Sequence, residues 1–199
     1  MKSFLIFVAI VAASVAAQQL PRRPASSTEA MYQAQADRCQ RKFDHIQHNG
    51  EQARPDQTPT VINRGELNAW FASGRAQLPT GVHQVRFSST PGVIDATARV
   101  NFDEITAQQH SSNPLLSLFS GEHDVRVVAK ADASGGEGHI HVQSVELDGT
   151  AIPRMALEFF IDHYLKPKHP EIGMDSTFRL PYRIDVAVVG ENELTVTQK

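Results

Sequence analysis

The stretch PGVIDATARVNF, residues 91–102, decides the fold. Ile94, Ala96, Ala98, Val100 and Phe102 alternate with Asp95, Thr97, Arg99 and Asn101. Successive side chains of a strand point to opposite faces, so this alternation describes a strand that is apolar on one face only. Thr90-Pro91-Gly92 is a turn, and Val85 and Phe87 alternate with Gln84 and Arg86 ahead of it, which makes a hairpin. The pattern repeats further along. Val125, Val127, Ala129 and Ala131 alternate with Asp124, Arg126, Lys130 and Asp132, and the turn Ser134-Gly135-Gly136-Glu137-Gly138 follows. Ile140 and Val142 come next, with a phase slip before Val145 and Leu147 that predicts a bulge. A last hairpin places Tyr182, Ile184, Val186 and Val188 on one face, turns at Gly190-Glu191-Asn192 and returns through Leu194 and Val196. These segments predict about six antiparallel strands. Ala96, Ala98, Ala129 and Ala131 are small inward residues, which leaves room for a helix or a ligand against the sheet.

Between the second and third hairpins lies PRMALEFFIDHYLKP, residues 153–167. Pro153 suits the first turn of a helix and Pro167 ends it. Met155, Ala156, Leu157, Phe159, Phe160, Ile161, Tyr164 and Leu165 cover most of its circumference, and Glu158, Asp162 and Lys166 form a narrow polar seam. A helix on one side of a sheet needs an apolar stripe of only about 100°. This one is expected to be surrounded by a curled sheet, another helix or lipid. The fold class that follows is α+β: a strongly curved antiparallel sheet of about six strands wrapped around an apolar helix, preceded by one or two N-terminal helices.

The connector SSNPLLSLFSGEHD, residues 111–124, is greasy where connectors are normally polar. Leu115, Leu116, Leu118 and Phe119 have three readings: ordinary core, the lid of a ligand groove, or a loop that dips into a membrane.

Residues 1–17 have a charged start at Lys2, an apolar run from Phe4 to Val11 and a small-residue exit at Ala16-Ala17, the pattern of a cleaved secretory signal. Export to the periplasm or the extracellular space is therefore expected. Residues 18–59 read as a disordered leader, a helix over Thr28–His48 stopped by Asn49-Gly50, and a linker; residues 60–199 hold the sheet domain. Tyr32, Gln35, Cys39, Phe43 and Ile46 fall on one stripe of that helix. A second, short helix begins at Asn63, with Glu66 completing a capping box, Ile62 and Leu67 a hydrophobic staple, and Leu67, Trp70 and Phe71 on one face. Cys39 is the only cysteine, so stability rests on packing rather than on a disulfide. A net charge of −3 gives no basic footprint for nucleic acid.

The order TVINRGELNAWFASG, LPTGVHQVRFSSTPGVIDATARVNFDE, VELDGTAIPRMALEFFIDHYL and FRLPYRIDVAVVGENELTV resembles the LmeA-type phospholipid-binding proteins of bacterial envelopes. The similar pieces are Glu66-Leu67-Asn68, Leu78 to Val82, Gly149 to Pro153 and Leu180 to Arg183, and the match covers about residues 60–197. The resemblance implies kinship with tubular lipid-binding folds, in which a long helix lies in a curved sheet around an apolar groove. It supplies no catalytic motif.

Histidines are the candidate chemistry. His139 and His141 lie on one strand face, a spacing that metal sites use, with His123 or His163 as a third ligand. They are expected to face solvent beside a turn, so no metal site is expected. Asp103-Glu104 and Asp162-His163 offer carboxylates and a base, but no activated nucleophile accompanies them, and Asp103-Glu104 suits a helix cap. The functional expectation is non-enzymatic: an exported protein that binds a lipid acyl chain, with a lipid or membrane surface as partner and no cofactor. Its groove would be lined by Trp70, Phe71, Leu115, Leu116, Leu118, Phe119, Leu157, Phe159, Phe160 and Tyr164. Ten to twelve buried methylenes would contribute about 8–10 kcal/mol before binding costs. The rival is a structural or interaction domain with a filled core; a histidine-dependent hydrolase or metal-binding protein ranks behind it.

Overall fold

The computed structural model describes residues 27–105, 119–167, 170 and 172–199. The expected signal peptide and most of the leader lie outside them, as do Leu115, Leu116 and Leu118. In chain order the elements are α1 (Ser27–Glu51), β1 (Thr60–Asn63), α2 (Arg64–Ala72), β2 (Val82–Thr90), β3 (Val93–Asn101), the single-turn α3 (Phe102–Ile105), β4 (Glu122–Ser134), β5 (Glu137–Leu147), β6 (Thr150–Ala151), α4 (Arg154–Phe160) with a π-helical turn over Ile161–Leu165, β7 (Asp175–Arg179), β8 (Ile184–Val189) and β9 (Glu193–Gln198). The class is α+β, with one nine-stranded antiparallel sheet.

All the strands read from alternation are present. The additional ones, β1, β6 and β7, are short, and β7 carries only Phe178 as a large apolar side chain, so alternation could not mark them. The strands run β1-β9-β8-β4-β3-β2, and β5 takes the other edge of β4 and pairs in turn with β6 and β7. One edge of β4 serves two partners. β3 covers it from Glu122 to Lys130, and β8 joins at Ala133 opposite Ala187. Gly92, at the tip of the β2–β3 hairpin, closes the junction: its amide donates to the Val189 carbonyl and its carbonyl accepts from the Ala131 amide, both at 3.0 Å. A φ of 73° suits glycine there.

The phase slip in β5 is a bulge. Val128 faces Ser144 and Ala129 faces Val142, so Gln143 is the extra residue. Two further irregularities carry no local signal, one of them in β2, where register shifts between His83 and Arg86. Register also shifts between Ile184 and Val186, which turns Val188 outward at 55% exposure and buries Val189 instead. Tyr182, expected to continue the inward face, has a φ of 53° and lies before the strand begins.

Helix α1 runs past its expected stop. Asn49 is buried within it, donating to the Asp56 carbonyl and to Gln198 at 2.8 Å each. Gly50 is there for close approach rather than for a turn: a Cβ would lie 2.2 Å from the Tyr182 carbonyl oxygen. Tyr32, expected on the buried stripe, is 54% exposed, and the stripe begins at Ala36.

Helix α4 corrects a larger expectation. It buries one face, through Ala156, Leu157, Phe160 and the following Tyr164, and leaves Met155 68% and Phe159 38% exposed. It is thus amphipathic in burial if not in composition. Phe159 is shielded along the helix by stacking on His163, ring centres 5.8 Å apart. The polar seam pairs i to i+4, Arg154 with Glu158 at 2.7 Å and Asp162 with Lys166 at 2.6 Å.

Two separate cores result. One lies under α4 and includes Val100, Phe102, Phe119, Leu147, Leu157, Phe160 and Tyr164. The other joins α1 and α2 to β1, β8 and β9 through Cys39, Phe43, Ile46, Ile62, Trp70, Ile184 and Val196.

Candidate functional site

A largely apolar cleft of about 100 Å³ opens in the second core, where the tips of the β2–β3 and β8–β9 hairpins meet beneath α1 and α2. The tips are tied together: the Asn192 amide donates to the Ser89 carbonyl at 2.9 Å, and the Ser89 hydroxyl donates to the Gly190 carbonyl at 2.9 Å. Helix α2 forms one wall because its start is fixed. Asn63 Oδ1 accepts the Glu66 amide at 3.0 Å, and Glu66 reaches back to the Asn63 amide at 3.3 Å, the capping box read in the sequence. The same Glu66 carboxylate, 3% exposed, takes Lys42 at 2.5 Å and Arg38 at 3.3 Å from α1, so one buried acid locks the two helices. Burial alone pushes this carboxyl up, but Lys42, the Asn63 amide and Arg38 outweigh it and hold the group below the ordinary carboxylate range.

Fixed in this way, α2 presents Leu67, Trp70 and Phe71 to the cleft, opposite Phe87 and Ile94 from β2 and β3. Phe43, Trp70, Phe71 and Phe87 form a chain of ring contacts with centres 4.9, 5.2 and 5.0 Å apart. Trp70 is held by a 2.7 Å hydrogen bond from its indole nitrogen to Gln40 Oε1. Asn68 reaches the edge strand β2, donating to the Phe87 carbonyl at 2.9 Å and accepting its amide at 2.7 Å. Ile46, Ile62, Val189, Leu194 and Val196 complete the apolar lining, while Arg64, Ser88, Ser89, Asn192 and Glu193 are its polar members. Cys39 belongs to the same core; burial, then the Glu66 charge, pushes its thiol up to about 12.

The residues expected to line one groove are divided. Trp70 and Phe71 line this cleft, with Trp70 buried among α1 and β9 side chains. Phe119, Leu157, Phe160 and Tyr164 lie in the other core, where Phe119 stacks on Phe160 at 4.3 Å and Phe102 meets both rings edge-on at 5.5 Å. Phe159 points outward. Leu115, Leu116 and Leu118 lie outside the described residues. Sequence reasoning missed Phe43, Ile62, Phe87, Ile94 and Leu194 as lining, because each falls on an ordinary apolar stripe and nothing local says that two hairpin tips meet.

His139 and His141 face solvent as expected, flanking the buried Ile140, and each pairs with a carboxylate, Asp132 at 3.2 Å and Asp175 respectively. His123 lies elsewhere, with Nδ1 at 2.6 Å from Asp148 and Nε2 at 2.8 Å from the Ser120 carbonyl. The Asp148 hydrogen bond outweighs burial and raises its pKa. Among the described residues, no group of three or more His, Cys, Asp or Glu side chains could hold a metal ion. Asp162 is engaged with Lys166, and Asp103 accepts the Gly121 amide at 3.0 Å; the cap of α3 is Asn101, which accepts the Asp103 amide at 3.1 Å. Among the described residues, no helix is long and apolar enough to cross a membrane. No family model matches the chain, and neither does any curated protein or solved structure.

Proposed function

We propose that the protein binds a lipid-like amphiphile by inserting its apolar end into the cleft between α2 and the two hairpin tips. The observation that carries this reading is the apolar lining of an open space beside Trp70. The volume sets the scale. A cavity of about 150 Å³ takes a benzene ring, so about 100 Å³ suits roughly four carbons. That is far less than the roughly ten to twelve methylenes of a buried acyl chain. Roughly four buried methylenes contribute about 3 kcal/mol, short of the roughly 4 kcal/mol of a millimolar complex. The ligand must therefore add polar contacts at the mouth. The reading is non-enzymatic. Export, expected from residues 1–17, and the resemblance to envelope lipid-binding proteins agree with it, as does a role in carrying the amphiphile. A sheet curved around α4 belongs to this same proposal.

Trp70 is the only tryptophan and lines the cleft, which supplies the assay. Hexanol added to the protein is expected to shift or quench the tryptophan emission in a saturable way. An Ile94→Phe variant, which fills the cleft, is expected to abolish the response. Unsaturable emission changes, or an unaltered response in the variant, would refute the reading. The rival, a domain with a filled core, is favoured by the α4 half, where the Phe102, Phe119 and Phe160 rings are in mutual contact.

A further inference from the structure

We infer that Asn68 closes the cleft at the edge of the sheet and so limits the apolar end it admits to about four carbons. This inference rests on the reading of the cleft as an amphiphile site and adds which tails it selects. β2 is the edge strand beside α2, with β3 on its other side. The Phe87 amide and carbonyl face away from β3, and Asn68 takes both, at 2.7 and 2.9 Å. A carboxamide carries a donor and an acceptor side by side, so it stands in for the next strand of a ladder. One turn further along α2, Phe71 meets the Phe87 ring, centres 5.0 Å apart. Helix α2 therefore holds Phe87 by its backbone and by its side chain. Two residues on, the Ser89 carbonyl accepts the Asn192 amide at 2.9 Å. The β2 edge is thus joined to α2 at one point and to the β8–β9 tip at the next.

Leu67, Trp70, Phe71 and Phe87 form the lining here, and Asn68 stands behind them as a positioning residue. A tail longer than the cleft either leaves its surplus at the mouth, in water, or passes between α2 and β2. The second route breaks both Asn68 bonds and strips the Phe87 amide and carbonyl of their partners. One more buried methylene does not repay two orphaned backbone groups. The surplus therefore stays in water and adds nothing to affinity. The class that fits is an amphiphile with a short apolar end.

The test titrates the full chain with straight-chain alcohols from propanol to nonanol and reads the emission of Trp70. In wild type, affinity is expected to rise about fourfold with each methylene through the short alcohols and to level off beyond hexanol. Asn68→Ala removes both bonds to Phe87, and Asn68→Asp keeps the shape but loses the donor. Both are expected to carry the rise on to octanol, with affinity there at least fivefold above wild type. Both are expected to fold, because Glu66 and Trp70 still anchor α2 to α1. Glu66→Gln loosens α2 from α1 without touching β2 and is expected to level off where wild type does. A steady rise through nonanol in wild type overturns the length limit and leaves the apolar cleft standing. An unmoved plateau in both Asn68 variants, or the same shift in Glu66→Gln, overturns the role of Asn68. No saturable response to any alcohol overturns the cleft and this inference with it.

Discussion

Replacing Glu66 by Gln isolates the charge that joins α1 to α2. Glutamine preserves the shape and can still accept the Asn63 amide, so the capping box survives and only the ionic contacts to Lys42 and Arg38 are weakened. A hydrogen bond to a charged group is worth about 1.5–3 kcal/mol. Lys42 is 31% and Arg38 48% exposed by side chain, so solvent screens both and places the loss toward the low end, near 2 kcal/mol. For a chain of this size, that lowers the melting temperature by about 4–8 °C. Acid supplies the control. Glu66 has a depressed folded pKa, so its contribution is present above its unfolded value, about 4.3, and is lost as pH falls through the folded value. Urea melts of wild type and Glu66→Gln are therefore expected to differ at pH 7 and to converge as pH falls through the folded value. A difference under 0.5 kcal/mol at pH 7, or one that persists unchanged in acid, would refute the argument.

The Cys39 thiol, fully buried and with its pKa pushed up to about 12, is expected to resist iodoacetamide in the folded protein and to react fully in urea. Rapid native labelling at neutral pH would contradict this placement. His123 has a raised folded pKa, so its contribution is complete below the unfolded value near 6.5 and is lost as pH rises through the folded one. Melts from pH 6 upward are expected to show a decline that His123→Gln removes, with Asp148, Asp124 and Arg99 as the charged neighbours that remain; identical pH profiles would remove His123 from the account.

The alternation of Ile94 to Phe102, the bulge in β5 and the capping box at Asn63 were legible because each is encoded within a few residues. What was not legible depends on contacts between distant segments. The bulge at Asp185 reverses the face of Val188 without any Gly or Pro to announce it. The composition of α4 suggested a surrounded helix, but burial follows what lies opposite, and nothing among the described residues covers Met155. The candidate site was half visible. Trp70 and Phe71 were named, yet they were grouped with Phe119, Leu157, Phe160 and Tyr164 because apolar character says that residues are buried, not in which of two cores.

The long strand β4 is one backbone bridge between those cores. Its first half packs Val125 and Val127 against the α4 side, and at Ala133 it meets β8, whose Ala187 packs on the α1 side. The two cores share no buried residue. β3 spans them too, with Ala98 and Val100 on the α4 side and Ile94 in the cleft. Local unfolding of one half while the other stays closed is the expected behaviour, which hydrogen exchange checks. On the proposed reading, a ligand in the cleft would bind only when the α1 half is closed and would suppress opening there by RT ln(1 + [L]/Kd). Amide hydrogens of α2 and β9 would then become harder to exchange, while those of α4 would keep their own rate. Occupancy of the cleft would be written into one half of the exchange map, with its boundary along β3 and β4.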